Sequence, residues 1–221
     1  MRAMFDEIVP RYDLVNGLLS AGFDRWWRRQ AASAIDVPRG SVVLDLGCGT
    51  GRLGELLAAR CRVVGVDVSA HMLAAARRRL RGRVRLVQGS AFRLPFPDGA
   101  LDGAVSGFVL RNLADIPGAF AELSRVLREG APVGIVDITE PPGRLRRRLF
   151  DAYFSAAAPA LGALIGRRDA YRYLVRSLAN LPPPDEVAAL LERHGFAGAA
   201  ARSLAPGMVT LWTARRAGTS S

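Results

Sequence analysis

Two hydrophobic patterns alternate along the central part of the chain: short continuous apolar runs, and longer stretches with apolar residues at helical spacing. The continuous runs predict buried strands, because a strand covered on both faces needs apolar residues at nearly every position. These runs cover 42–46, 62–66, 84–88, 101–105 and 131–138. Helical spacing occurs between them, over 53–59, 70–80 and 116–127. The alternation predicts an α/β fold with a mostly parallel sheet and helices on both faces.

The two ends of the chain are organised differently from this core. Near the start, apolar residues at helical spacing are interrupted by Pro10 and Gly22, which predicts several short helices. The end predicts a helix over 185–194 and two short strands, about 197–203 and 208–214, that pair antiparallel at the sheet edge.

A length of 221 residues lies within the range of a single domain. We expect four parts within this domain: an N-terminal helical lid (1–35), a cofactor-binding βαβ core (36–140), a helical insert over the substrate site (141–181), and the C-terminal helix with edge strands (182–221).

The amino-acid composition excludes several classes of metal site and hydrolase. The two cysteines and two histidines provide neither the paired spacing of a zinc site nor the motifs of metalloproteases and serine hydrolases, so we expect no metal. The longest apolar segment, 156–165, contains Pro159 and Gly162 and is shorter than the ~18 residues that a membrane span needs. We therefore expect reduced cysteines and a cytoplasmic location.

The net charge of +11 comes from arginine alone, as expected either from codon bias or from an anionic partner.

The first strand leads into a glycine cluster, and two templates compete for it. Read from Gly49, the segment fits the G-x-G-x-x-G fingerprint of dinucleotide-binding proteins. Read from Asp45, it fits D-x-G-x-G-x-G, the loop that holds S-adenosylmethionine in class I methyltransferases. The strand already ends at Gly47, and counted from there Arg52 stands where the dinucleotide fingerprint requires a small residue. The second template is therefore favoured.

Asp67 closes the second predicted strand, where its two oxygens can accept both hydroxyls of a ribose. An acidic residue at this position serves either cofactor, and Asp67 could instead cap the next helix, although Ser69 is also available for capping.

Several segments resemble the cofactor motifs of class I methyltransferases: 43–51 (VLDLGCGTG), 64–69 (VGVDVS) and 94–99 (LPFPDG) with Asp102. Further segments extend the resemblance over nearly the whole chain, to the menaquinone/ubiquinone biosynthesis C-methyltransferase family. They are 4–8 (MFDEI), 11–16 (RYDLVN), 27–29 (WRR), 110–112 (LRN) with Asp115, 171–174 (YRYL) and 207–211 (GMVTL). The resemblance implies a Rossmann-like seven-stranded fold that uses S-adenosylmethionine to methylate a ring carbon of a quinol such as demethylmenaquinol.

The resemblance also implies roles for individual residues. Cofactor contacts fall on Asp45, Gly47, Gly49, Thr50, Gly51, Asp67, Val68, Met72, Ser90, Ala91 and Gly107. Arg111 and Asn112 are expected to orient and activate the hydroxyl of the acceptor, with Tyr12 closing over the site. Alternatively, Arg111 pairs with Asp115 at a helix start.

Some positions depart from the family pattern. Asp24 and Trp212 stand where histidine is usual, and Ser90 stands where an acidic or amide residue usually faces the adenine. The segments 125–131 (RVLREGA) and 137–139 (DIT) also differ. These departures keep open a methyltransferase of another small aromatic or natural-product acceptor.

Three other classes compete with this interpretation: an NAD-dependent oxidoreductase, a nucleic-acid methyltransferase and a non-catalytic binding module. The segment 106–112 (SGFVLRN) lacks the N/D-P-P-Y loop of base amine methylation, so we expect no nucleic-acid partner. The complete glycine loop argues against a non-catalytic module.

Arginines cluster at Arg25, Arg28 and Arg29, around 77–85, and at 144–148 with Arg167 and Arg168. Such runs are solvated faces in many proteins, but the first and last clusters flank the expected entrance for a lipid-dissolved acceptor. They predict peripheral contact with an anionic membrane. The remaining partner expected is a second copy of the chain, in a homodimer.

Overall fold

The computed structural model describes residues 17, 20, 22–141, 143–152, 155, 177–178, 180–205 and 207–218. These residues form one seven-stranded sheet in the order β3-β2-β1-β4-β5-β7-β6. The strands are β1 (Val42–Leu46), β2 (Arg62–Asp67), β3 (Arg85–Gln88), β4 (Gly103–Gly107), β5 (Pro132–Ile138), β6 (Phe196–Leu204) and β7 (Val209–Arg216). The first five are parallel to one another, and β7 runs antiparallel to both β5 and β6. The predicted fold class, including the antiparallel pair at the sheet edge, is confirmed.

Helices connect the strands at nearly the predicted positions. They are α1 (Asp24–Ala34), α2 (Arg52–Leu57), α3 (Ala70–Leu80), α4 (Ile116–Val126), α5 (Arg144–Ala152) and α6 (Pro184–Arg193), with a 3₁₀ helix over Leu110–Asn112. Side chains fix the starts of two of them, because Ser69 Oγ accepts the Met72 N–H at 3.2 Å and Asp115 Oδ1 accepts the Gly118 N–H at 2.8 Å.

The fourth strand lies two residues later than the prediction of 101–105. The Asp102 carboxylate accepts the backbone N–H of Val42 at 2.7 Å and pairs with Arg128, so the chain enters the sheet only after this residue. Ser106 continues the strand although it is polar, because its hydroxyl donates to the carbonyl of Leu46 at 2.9 Å. A hydropathy pattern does not record such a compensated polar position.

Two apolar clusters cover the faces of the sheet. On one face, α4 and α6 pack on the strands through Phe120, Leu123 and Leu191. On the other face, α1, α2 and α3 pack through Trp27, Leu57 and Leu80, among others. Helix α1, the described part of the predicted lid, thus belongs to the packed core; residues 1–16 lie outside the described residues. Within the described ranges, no helix has the length and apolar character needed to cross a membrane.

Candidate active site

A cavity of about 210 Å³ opens at the carboxyl ends of β1, β2 and β4. Parallel strands end at a common edge of their sheet, and ligands of α/β proteins bind at that edge. The structure brings most of the predicted site residues together on its walls: Gly47, Gly49, Asp67, Val68, Met72, Ser90, Ala91, Gly107 and Asn112. Apolar side chains complete the lining, among them Phe92, Phe108 and Leu113.

The glycine loop after β1 adopts a conformation that other residues tolerate poorly. Gly47 and Gly51 have φ values of 66° and 83°, in the left-handed region. A Cβ on Gly47 would lie 2.4 Å from Val109 Cγ2, and one on Gly51 would lie 2.6 Å from Leu80 Cδ1. The absence of side chains therefore lets the loop fold back on its neighbours and leaves backbone at the cavity wall.

Asp67 joins this loop to the end of β2. Its Oδ2 accepts the Gly49 N–H at 2.8 Å, and its Oδ1 accepts the Ser69 N–H at 2.9 Å. A carboxylate oxygen can accept more than one hydrogen bond, so these contacts are compatible with a ligand hydroxyl at the same group. Ser69 provides the side-chain cap of α3, and Asp67 faces the cavity.

Asp45 lies behind the loop and does not line the cavity. Its side chain is buried, with Oδ2 accepting the Gly54 N–H at 2.8 Å, which ties β1 to α2. Burial raises the pKa of Asp45 to about 7, an effect that the positive charge of Arg28 and the Gly54 N–H oppose and the negative charge of Asp67 reinforces. Oδ1 has no hydrogen-bond partner.

Thr50 and Gly51 also support the loop without lining the cavity. Thr50 is buried, and its carbonyl accepts the Arg79 Nε–H at 3.0 Å. Together with Asp45, these residues form the rear of the loop, whereas Gly47 and Gly49 form the surface that faces the cavity.

The 3₁₀ helix after β4 carries the two predicted catalytic residues, and only one of them faces the cavity. Asn112 lines the cavity, and its Nδ2 donates to the carbonyl of Phe108 at 3.2 Å. Arg111 is buried behind this wall, where its Nη1 pairs with Asp137 and its backbone N–H donates to the same carboxylate at 3.2 Å. The alternative pair with Asp115 is not formed, because Asp115 caps α4.

Phe108 is a wall residue that the sequence did not indicate. Its φ of 66° is unusual for a bulky residue, and its N–H donates to the Val136 carbonyl at 2.7 Å. The guanidinium carbons of Arg28 and Arg111 lie 4.8 and 5.9 Å from its ring centroid, within the range of cation–π contact. The Trp27 ring lies 6.2 Å away. Several elements thus fix this ring.

An ion cluster of the buried Asp24 and Arg28 with the partly buried Arg52 joins α1 to the start of α2. Asp24 Oδ1 accepts the Arg28 Nε–H at 3.0 Å, and Asp24 Oδ2 pairs with Arg52 Nη1 at 2.8 Å. The prediction that Arg28 belongs to an exposed basic cluster is wrong, since Asp24 and the Phe108 ring hold it inside the protein. Arg25 and Arg29 on the same helix are exposed. An arginine in a helix gives no local signal that separates these two outcomes.

Some predicted features fall outside the described residues: Tyr12, the 171–174 motif, Arg167 and Arg168. Within the described part of the chain, no group of histidine, cysteine and acidic residues is arranged to hold a metal ion.

The fold and the glycine-lined cavity define the class I, Rossmann-like methyltransferases. Solved structures with the same fold include S-adenosylmethionine-dependent methyltransferases from Thermotoga maritima and Aquifex aeolicus. The first has a TM-score of 0.69 at 20% identity and covers 98% of this chain and 99% of its own. The second has a TM-score of 0.66 at 16% identity and covers 92% and 97%.

Within that class, the chain belongs to the ubiE/COQ5 methyltransferase family, whose model matches residues 1–216. It is 42% identical to the demethylmenaquinone methyltransferase of Thermus thermophilus, over 87% of this chain and 91% of the relative. It is 38% identical to the ubiquinone/menaquinone biosynthesis C-methyltransferase UbiE of Syntrophotalea carbinolica, over 97% and 93%. The family resemblance drawn from the sequence is confirmed.

Proposed function

We propose that the protein transfers a methyl group from S-adenosylmethionine to a ring carbon of a prenylated quinol such as demethylmenaquinol. The observation that carries this proposal is the glycine-lined cavity with Asp67 at its edge, in a chain of the ubiE/COQ5 family. The relatives named above as quinone-pathway methyltransferases support the choice of acceptor.

The residues present fit the adenosine portion of S-adenosylmethionine. A sulfonium cofactor has no phosphate to bind, so it needs close backbone approach and acceptors for its hydroxyl and ammonium groups. Gly47 and Gly49 provide the backbone, and a side chain on Gly47 would collide with Val109. We assign the ribose hydroxyls to Asp67, and the adenine to the neighbouring wall of Val68, Ser90 and Ala91.

When bound, the cofactor supplies an electrophilic methyl group on sulfur. The protein's share of the reaction is to hold the acceptor carbon in line with that group, and orientation of this kind is worth roughly 7–11 kcal/mol. The apolar walls around Phe108 and Leu113 exclude water from the reacting atoms.

The acceptor carbon becomes a better nucleophile when the adjacent hydroxyl loses its proton, which a phenol with a pKa of about 10 resists at neutral pH. We assign contact with this hydroxyl to Asn112, which lines the cavity. Arg111 stands one residue earlier, behind the cavity wall and paired with Asp137, and we propose that it acts on the acceptor through Asn112, by fixing the 3₁₀ helix that carries this residue. Tyr12, by the family resemblance, closes over the acceptor.

We further propose that the protein associates peripherally with an anionic membrane, from which it takes its lipophilic acceptor. Helix α5 exposes Arg144, Arg146 and Arg148, together with a Leu145 side chain that is 72% exposed. Basic residues near an anionic leaflet contribute on the order of 1 kcal/mol each.

Helix α1 provides a second exposed set of the same character. Arg25 and Arg29 are exposed, Trp26 is 37% exposed, and Phe23, which immediately precedes the helix, is 41% exposed. Aromatic rings and arginines together are typical of a surface that enters the membrane interface.

Methyl transfer tests the proposed function. Purified protein with labelled S-adenosylmethionine should methylate a demethylmenaquinol, whereas saturable nicotinamide binding in the micromolar range without methyl transfer would favour an oxidoreductase.

A further inference from the structure

Arg28 places a buried positive charge against the back of the cavity. It comes from α1, outside the glycine loop and outside β1 and α2, the two elements that the loop connects. Burial of a guanidinium is costly unless anions compensate for its lost hydration. Asp24, which pairs with Arg28 at 3.0 Å, also pairs with Arg52, so a single carboxylate serves two guanidinium groups.

The position of Arg28 brings its charge to the strands that carry the site. A Cβ on Gly107 would lie 3.0 Å from Arg28 Nη1, and the Arg28 guanidinium carbon lies 4.8 Å from the Phe108 ring centroid. Gly107 and Phe108 both line the cavity. In the neighbouring strand β1, Asp45 pairs with Val105 of β4, two residues before Gly107.

Asp45 is a second buried carboxylate, on the strand next to the one that carries Gly107. Burial shifts its pKa upward, and the charge of Arg28 is the largest effect that opposes this shift. The other groups that act on Asp45 are the Gly54 N–H of α2, which favours the anion, and the Asp67 carboxylate of β2, which disfavours it. The hydrogen bond between Asp45 Oδ2 and the Gly54 N–H joins the two sides of the glycine loop.

We propose that Arg28 is a positioning residue of the cofactor site: from α1, it favours the charged form of Asp45, whose carboxylate ties β1 to α2, and it supports the Phe108 wall. Helix α1 thereby takes part in cofactor binding without touching the cofactor. This inference rests on the proposed function in one respect: the binding test uses S-adenosylmethionine, the cofactor that the proposed function assigns.

The test compares Arg28→Met with Arg29→Met, a matched control that removes an exposed arginine from the same helix. The dissociation constant for S-adenosylmethionine is measured by calorimetry between pH 6 and 9. As the pH is lowered, the wild-type and Arg29→Met proteins should lose affinity for S-adenosylmethionine, and the midpoint of this loss should lie near the pKa of Asp45 in both. In Arg28→Met the midpoint should rise by about one pH unit or more, the effect expected from removing a nearby opposite charge. Arg28→Lys, which keeps the charge, should restore the wild-type midpoint.

A merely structural role would reduce affinity by the same factor at every pH, and an unshifted midpoint in Arg28→Met would overturn the proposal. A second measurement needs no ligand, and it tests the proposal even if the Arg28→Met protein is too unstable for a binding titration. Asp45→Asn keeps an acceptor for the Gly54 N–H but removes the charge, so adding it to Arg28→Met should recover much of the lost stability against urea. Failure of this rescue would contradict the proposal. Absence of S-adenosylmethionine binding by the wild type would instead contradict the proposed function.

Discussion

Asp67 Oδ2 accepts the backbone N–H of Gly49 at 2.8 Å, so the residue that ends β2 also fixes the loop that follows β1. The same carboxylate faces the cavity. One side chain thus both shapes the loop and presents acceptor atoms to a ligand.

Asp67→Ala should weaken S-adenosylmethionine binding by at least about tenfold, because a hydrogen bond to a charged group is worth about 1.5–3 kcal/mol. Calorimetric titration measures the effect. Asp36→Ala removes an exposed carboxylate before β1 and should leave the affinity unchanged. Equal affinities of the Asp67→Ala and wild-type proteins would remove Asp67 from the site.

Arg111→Ala should lower turnover by at least about tenfold while the cofactor affinity stays within about twofold, because Arg111 acts on the acceptor side. It leaves Asp137 buried without its partner, which should also lower the free energy of unfolding by about 3–5 kcal/mol. Turnover is measured at a temperature where circular dichroism shows a folded protein. Arg193→Ala, an exposed arginine on α6, is the control; unchanged turnover in Arg111→Ala would refute the assignment.

Asp45 should make the free energy of unfolding fall as the pH rises. Its pKa is about 7 in the folded protein and near 3.8 in the unfolded chain, so between these values the unfolded chain gives up the proton that the folded state retains. Urea unfolding between pH 4 and 8 measures this decline. Asp45→Asn should remove most of it, and an identical slope in both proteins would show that Asp45 does not cause it.

Glu122 should have the opposite pH dependence. The hydrogen bond from Arg125 holds its pKa below the usual 4.5, and the Leu94 N–H adds to the effect. A depressed pKa stabilises the fold above the unfolded value, and this contribution is lost as the pH falls through the folded pKa. Urea unfolding below pH 5 should therefore show a steeper loss of stability in the wild type than in Glu122→Gln. Parallel curves would contradict the role of this pair.

Membrane association should depend on α5. Replacement of Arg144, Arg146 and Arg148 by glutamine should reduce flotation with anionic liposomes at low salt, and added salt should reduce wild-type flotation similarly. The control replaces Arg77, Arg78 and Arg81, exposed arginines at the end of α3, and removes the same charge. Equal losses in both triple variants would indicate a nonspecific charge effect, and no wild-type flotation would refute the membrane proposal.

The sequence predicted the features that local patterns encode. Continuous apolar runs located the strands, and a glycine cluster after the first strand located the loop. Because parallel strands share one edge, Asp67 and Gly49 could be expected near one another although 18 positions separate them.

The remaining features depend on contacts that local patterns do not record. Asp24 and Arg52 are 28 positions apart, and no sequence neighbour of Asp24 marks it as buried. Arg28 and Arg29 are adjacent in one helix, yet contacts with Asp24 and Phe108 bury Arg28 while Arg29 is exposed. The family pattern marks Asp137 only as a departure, although a carboxylate inside an apolar strand is itself a sign of a buried partner.

The most direct measurement of the central claim is mass analysis of the product formed from labelled S-adenosylmethionine and a panel of demethylmenaquinols and demethoxy-type benzoquinols. The account predicts that one methyl group is added to a ring carbon of a prenylated quinol, and that this product is lost with Asp67→Ala at limiting cofactor. Methylation at oxygen, or transfer only to acceptors outside the quinol panel, would contradict it.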